Sequence, residues 1–178
     1  MGEVITMDLK DYIGIRLDFP KEGISFKDIT PLIQNHEAYQ QTVKELIYPF
    51  KDNGITKVVC ADARGFIFGG PAALELGAGL VIARKPNKLP YVAMSETYDL
   101  EYGHNTLEIP TDALSEQDRV LIVDDLLATG GSAKALTNMI HRSGATLVGY
   151  SFVVELTGLK GRDILDKVPV ISLIEYEF

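Results

Sequence analysis

The sequence predicts an α/β fold, a mainly parallel twisted sheet flanked by helices. Two observations carry the expectation: five short apolar runs rich in β-branched residues suit buried strands, and amphipathic helical stripes fall between several of them. In chain order, residues 36–52 place Tyr39, Val43, Leu46, Ile47 and Phe50 on one stripe, and Pro49 should kink or end that helix because it lacks a backbone donor. "KVVCA" (57–61) reads as a buried strand, and "GFIFGGPAALELGAG" (65–79) as a helix packed closely on a sheet and stopped at Gly77 or Gly79. "GLVIA" (79–83) and "VLIVD" (120–124) are the next strands, and 132–143 carries Ala133, Leu136, Met139 and Ile140 on one helical face. "LVGYSFVV" (147–154) and "VPVISLI" (168–174) complete the set. Between the second and third strands, the polar stretch "PNKLPYVAMSETYDLEYGHN" is longer than a simple connection needs. It is expected to be a functional lid or a disordered excursion, or else a hairpin arm built from "YVAMSETY" and "NTLEI", which does not exclude a lid role.

A length of 178 residues suits one domain, and 46% hydrophobic with 24% charged residues reads as an ordinary soluble globular protein. No apolar run is long enough to span a bilayer and no secretory signal pattern opens the chain, so a cytoplasmic location without a membrane partner is expected. "MGEVIT" fits the loose myristoylation pattern through Gly2 and Thr6, but no polybasic run supports it. Cys60 is the sole cysteine and reads as a small core residue. A net charge of -8 argues against nucleic acid as the main partner, so any bound anion must be handled locally.

The local device is "VLIVDDLLATGGSAKAL", residues 120–136. Asp124 and Asp125 close an apolar strand, and ligands of open α/β sheets gather beyond the carboxyl ends of the strands. Gly130 and Gly131 let the backbone approach an oxyanion, while amides from Thr129 to Ser132 and the hydroxyls of Thr129 and Ser132 converge on a phosphate at a helix N-terminus. The acids need another target, and the vicinal diol of a pentose 5-phosphate supplies it. Neither "GxxxxGK[ST]" nor GxGxxG is present.

On these residues the chain resembles the type I phosphoribosyltransferases, whose phosphoribosyl pyrophosphate (PRPP) signature is similar to "VLIVDDLLATGGS". "DFPKEGISFKDITPLI" (18–33), "ADARGFIFG" (61–69), "LEYG" (100–103) and "ELTGLKGR" (155–162) narrow the resemblance to the adenine-using branch. Glu22 stands where the family often has proline and Ala63 where serine is also common, and neither position is expected to carry the chemistry.

The resemblance implies purine salvage: 5-phosphoribosyl transfer from PRPP to N9 of adenine, giving AMP and pyrophosphate. It implies that Asp124, Asp125, Ala128, Thr129, Gly130, Gly131 and Ser132 bind the ribose and phosphate, and that Arg64, Lys85 and Lys88 neutralise pyrophosphate. Ser25, Phe26, Lys27 and Leu156 are implied for adenine, and Glu101, Tyr102 and Arg64 for catalysis, with Glu101 handling the base proton. Mg²⁺ is implied to arrive on PRPP rather than in a protein cage. A cis peptide at Asp62–Ala63 and a homodimer with the arginine-containing helix near its interface are implied as well. The whole chain, 1–178, is then one phosphoribosyltransferase domain with a base-recognition segment at about 18–35 and a lid at about 86–106. His36, His104 and His141 are scattered and are expected at the surface. A receiver domain also opens with "VLIVDD", but only 53 residues follow Asp125 and "TGGS" would have no role.

Overall fold

The structure is a computed structural model and describes residues 7–99 and 103–177; the Gly2/Thr6 pattern lies outside them. The chain opens into an antiparallel ribbon of β1 (Gly14–Leu17) and β2 (Ser25–Asp28), then a short helix α1 (Thr30–Gln34) and α2 (His36–Ile47). Asn35 starts α2 by accepting the Ala38 N–H at 2.9 Å, and Pro49 falls just past its end in a 3-10 turn, as its missing donor requires. β3 (Lys57–Ala61), α3 (Gly65–Leu76) and β4 (Gly79–Ala83) form a strand–helix–strand crossover whose strands pair in parallel, and Gly77 ends α3 at φ +65°. β5 (Ala93–Asp99) and β6 (His104–Pro110) form an antiparallel hairpin. β7 (Arg119–Leu127), α4 (Gly131–Arg142), β8 (Thr146–Leu156) and β9 (Val170–Tyr176) complete the chain.

Five strands form the central sheet in the order β4-β3-β7-β8-β9, and every neighbouring pair is parallel. Its inner strands are buried on both faces, which explains why their sequences are continuous apolar runs rather than alternating ones. In β7, Leu121 and Val123 enter the core cluster shared with Leu46 and Phe50 of the α2 region and Phe68 of α3. Val120 and Ile122 enter the opposite cluster with Leu136, Met139 and Ile140 of α4.

Two expectations are corrected, and one region was not anticipated. β7 does not stop at the aspartates; it runs on to Leu127 because Leu126 and Leu127 still find ladder partners in Val154 and Glu155 of β8. β9 begins at Val170 rather than two residues earlier, since Pro169 has no N–H for the ladder and its carbonyl accepts from Tyr150 instead. The β1–β2 ribbon and α1 carry no clear periodicity: "GIRL" is short and mostly exposed, and "SFKD" is short and half-buried, with Lys27 the only buried residue of the four-residue β2. Between 86 and 105 the hairpin reading describes the chain, with both strands close to their expected bounds.

Candidate active site

The two acids of β7 are buried side by side, with Asp124 9% and Asp125 6% exposed. Asp124 Oδ1 accepts the Asp125 N–H at 2.9 Å, and the Arg64 Nε lies 2.9 Å from Asp125 Oδ2. That ion pair lacks hydrogen-bond geometry, so Asp125 Oδ2 is a buried oxygen with no hydrogen bond of its own. Burial pushes both carboxyls above their ordinary range; the neighbouring Asp125 charge pushes Asp124 further up, while Arg64 opposes the rise at Asp125. Arg64 and Gly65 occupy the turn from β3 into α3. A Cβ at Gly65 would stand 2.6 Å from Asp124 Oδ1, so glycine is what lets the carboxylate lie against the helix start. The Asp62–Ala63 peptide before this arginine is cis, and Arg84 Nε donates to Asp62 Oδ2 at 2.9 Å.

Beyond β7, Ala128, Thr129 and Gly130 turn the chain into α4. Gly130 has φ +85°, and a Cβ on it would stand 2.6 Å from the Gly161 carbonyl oxygen. The first amides of α4, from Gly131 and Ser132 onward, have no partner within the helix and carry its positive end. A cavity of about 230 Å³ opens here, with Arg64, Asp124, Thr129, Ser132 and Tyr98 among its walls. Ser132 Oγ donates to the Tyr98 hydroxyl at 3.0 Å. The spacing of "DDLLATGGS" thus brings Asp124, turn glycines and a helix N-terminus around one small space, with Asp125 behind Arg64 at its edge.

Arg64 also lines a second cavity, of about 600 Å³, shared with Phe19, Phe26 and Asp28 of the N-terminal ribbon region. Its guanidinium carbon is 5.4 Å from the Phe26 ring centroid, and Phe19 meets Phe26 edge to face at 5.2 Å. Ser25 and Lys27 alternate with Phe26. Lys27 is buried, donates to Ser25 Oγ at 2.8 Å and stands 4.5 Å over the Tyr176 ring, so these two side chains leave the cavity to Phe26.

The remaining expected residues are more dispersed. Leu156, half-buried, ends β8 opposite Tyr176 and packs on the core; it lies outside the described lining of both cavities. Lys85 is exposed near Asp62, whose carboxyl is held low first by the Arg84 hydrogen bond, against burial, with a lesser part from the Lys85 amide and charge. Lys88 is exposed in the segment leading to β5. Glu101 and Tyr102 lie outside the described residues. His36, His104 and His141 are exposed. Cys60 is buried against Gly69, and burial followed by the nearby Asp124 charge pushes its thiol to about 12. Nothing in the sequence marks Tyr98 or Arg84: an aromatic in a polar hairpin and an arginine beside a lysine have ordinary surface explanations until the fold brings them in.

Residues 32–173 match the family model of the phosphoribosyl transferase domain. The chain is 52% identical over 170 residues to the adenine phosphoribosyltransferase of Carboxydothermus hydrogenoformans, covering 96% of this chain and 100% of that one. Among solved structures, adenine phosphoribosyltransferase from Rhodothermus marinus superposes with a TM-score of 0.90 at 47% identity, covering 94% of this chain and 96% of that one. The Saccharomyces cerevisiae adenine phosphoribosyltransferase, complexed with adenine and an imino-altritol bisphosphate, gives 0.87 at 40% identity over 93% and 96% of the two chains. Motifs, sheet order and relatives agree: this chain belongs to the phosphoribosyltransferase family, in its adenine phosphoribosyltransferase branch.

Proposed function

We propose that the chain transfers the 5-phosphoribosyl group of PRPP to N9 of adenine, releasing AMP and pyrophosphate in purine salvage. The observation that carries this reading is the small cavity that sets buried Asp124, and Arg64 with its partner Asp125 behind it, beside a glycine turn and a helix N-terminus. A sugar phosphate needs both: hydrogen-bond acceptors for its diol and amides for its phosphate. In this reading the nest of Ala128 to Ser132 holds the 5-phosphate. Asp125 Oδ2, which lacks a hydrogen bond in the fold, and the adjoining Asp124 accept from the ribose hydroxyls.

Transfer of this kind builds positive charge on the ribose and negative charge on departing pyrophosphate, so fixed charges placed in advance lower the barrier. Buried carboxylates under the sugar stabilise the cationic side. Arg64, anchored by Asp125 and laid against Phe26, lines both cavities, and its charge meets the pyrophosphate; Lys85 and Lys88 add to that field from the solvent side. Phe26 offers a flat face to adenine, with backbone groups of Ser25 and Lys27 reading its edge; Leu156, outside the lining of the Phe26 cavity, adds apolar contact once the base is bound. Glu101 takes the imidazole proton as N9 attacks, and Tyr102 accompanies it when the 86–106 segment covers the site and excludes water.

Mg²⁺ enters with PRPP. The all-oxygen character of the acid pair suits the hydroxyls and waters around such an ion, and among the described residues no group of three or more His, Cys, Asp and Glu is placed to cage a metal. When bound, the ion supplies charge neutralisation on pyrophosphate. Our reading also includes one domain over 1–178 with base recognition at 18–35, a homodimer through the α3 region, where Leu74 is 84% exposed, and a cytoplasmic setting, which suits a lone free thiol. Base competition with labelled PRPP tests the assignment: adenine should be consumed far ahead of hypoxanthine and guanine, since a 6-oxo group leaves the edge-reading groups unpaired. Preference for a 6-oxo purine would overturn it.

A further inference from the structure

The β5–β6 hairpin is fastened to α4 at three levels. Ser132 Oγ meets the Tyr98 hydroxyl at 3.0 Å, Asn138 Nδ2 donates to Glu96 Oε1 at 2.8 Å, and Arg142 Nη2 donates to the Ser95 carbonyl at 2.6 Å while pairing with Glu96. Only the first of these lies in the small cavity beside the acids. There the Tyr98 ring covers Gly131 so closely that a Cβ at 131 would stand 2.8 Å from Tyr98 Cδ2. The ring's position is therefore set by packing, and its hydroxyl is aimed at Ser132 as a consequence.

A hydroxyl has one hydrogen to donate and two lone pairs. Here Ser132 donates to Tyr98. A phosphate oxygen at the helix N-terminus only accepts, so Ser132 must turn its one hydrogen toward the phosphate. Its lone pair then accepts from the Tyr98 O–H, and the same hydroxyl pair persists with its direction reversed. We propose that Tyr98 is a positioning residue for the 5-phosphate, acting through Ser132: it holds Ser132 Oγ aimed into the nest and ties the hairpin to the phosphate loop. This rests on the nest being the 5-phosphate site.

A double-mutant cycle on the full chain tests it, with wild type, Tyr98→Phe, Ser132→Ala and the double variant. KM for PRPP, KM for adenine, kcat, and inhibition by AMP and by pyrophosphate are measured for each. Ser132→Ala should raise KM for PRPP and weaken AMP inhibition about tenfold, as for a hydrogen bond to a charged group, and Tyr98→Phe about threefold, as for a neutral one. KM for adenine, kcat and pyrophosphate inhibition should stay within about twofold in Tyr98→Phe, and the double variant should be no worse than Ser132→Ala, because removing Ser132 leaves Tyr98 nothing to position. Additive effects, an unchanged KM for PRPP in Tyr98→Phe, or an equal loss for adenine and pyrophosphate would overturn the proposal while leaving the phosphate site standing. If Ser132→Ala itself changes neither PRPP nor AMP, the nest reading falls and this inference with it. Phenylalanine keeps the ring over Gly131; should that variant nevertheless melt early, the same cycle read as AMP affinity by calorimetry below its Tm gives the decision.

Discussion

Asp124 sits where its charge is unfavourable. It is buried, next to another acid, and its carboxyl is pushed well above the usual range by loss of water and then by Asp125. Because the folded-state value is raised, the penalty is present at neutral pH and fades as falling pH protonates the group. Asp124→Asn keeps an oxygen to accept the Asp125 N–H while removing the charge. At neutral pH it should raise Tm by about 2–4 °C for each ~1 kcal/mol recovered, with the gain shrinking toward about pH 4, and lower turnover by about a hundredfold or more. Thermal melts across pH beside an activity assay check both parts, and an unchanged or lowered Tm at neutral pH would contradict the electrostatic account. Gly130 carries the opposite kind of constraint, since its φ of +85° and its approach to the Gly161 carbonyl both exclude a side chain. Gly130→Ala should cost about 1–2 kcal/mol from backbone strain alone, with a further loss from the contact, and raise KM for PRPP while leaving KM for adenine little changed. "DD" and "TGGS" were visible as chemistry because they are local; the reason for Gly130 in particular was not, since Gly161 lies far along the chain.

At the scale of elements, the strands of the central sheet were legible because residues buried on both faces need continuous apolar sequence. The segment after β8 was less legible. Glu155 is 3% exposed, and Arg162 grips it through Nε and Nη2 at 2.6–2.8 Å while also reaching the Val170 carbonyl and Ser172 Oγ. The fork fixes residues 157–165 to β8 and β9 and so holds Gly161 behind the phosphate loop. Arg162→Met should cost about 3 kcal/mol, the low end for breaking a buried pair because Arg162 is partly in water, and Glu155→Gln added to it should restore much of the loss. Chemical denaturation of the single and double variants reads this directly; a double variant as weak as the single would show that the buried charge is not the cause. The β1–β2 ribbon makes a separate prediction: Phe26→Ala should raise KM for adenine about tenfold or more and leave KM for PRPP within about twofold. Retained adenine affinity would remove Phe26 from the base site.

For the whole molecule, acid stability arises from carboxylates held low by their partners. In Glu155, burial raises the carboxyl but the Arg162 and Ser172 bonds outweigh it; in Asp166, the His141 bond leads, opposed by burial and joined by Lys134. Folded values below the unfolded ones mean that this stabilisation is full above the ordinary carboxylate range and is lost as pH falls through the depressed values. Stability should therefore hold or rise slightly from about pH 8 to 5, as the Asp124 and Asp125 penalties fade, and fall steeply below about pH 4, as urea midpoints against pH would record. A loss beginning near about pH 6, where histidine titrates, would point to other groups. By itself the sequence determined the α/β class, the main strands and helices and the acid–glycine corner, because periodicity, turn chemistry and phosphate recognition are written in neighbouring residues. Only the tertiary structure decided that one arginine touches both Asp125 and Phe26, that Tyr98 reaches Ser132 across 34 residues of chain, and that Gly161 backs Gly130. Such contacts join segments whose spacing carries no period, so nothing short of the packed chain specifies them.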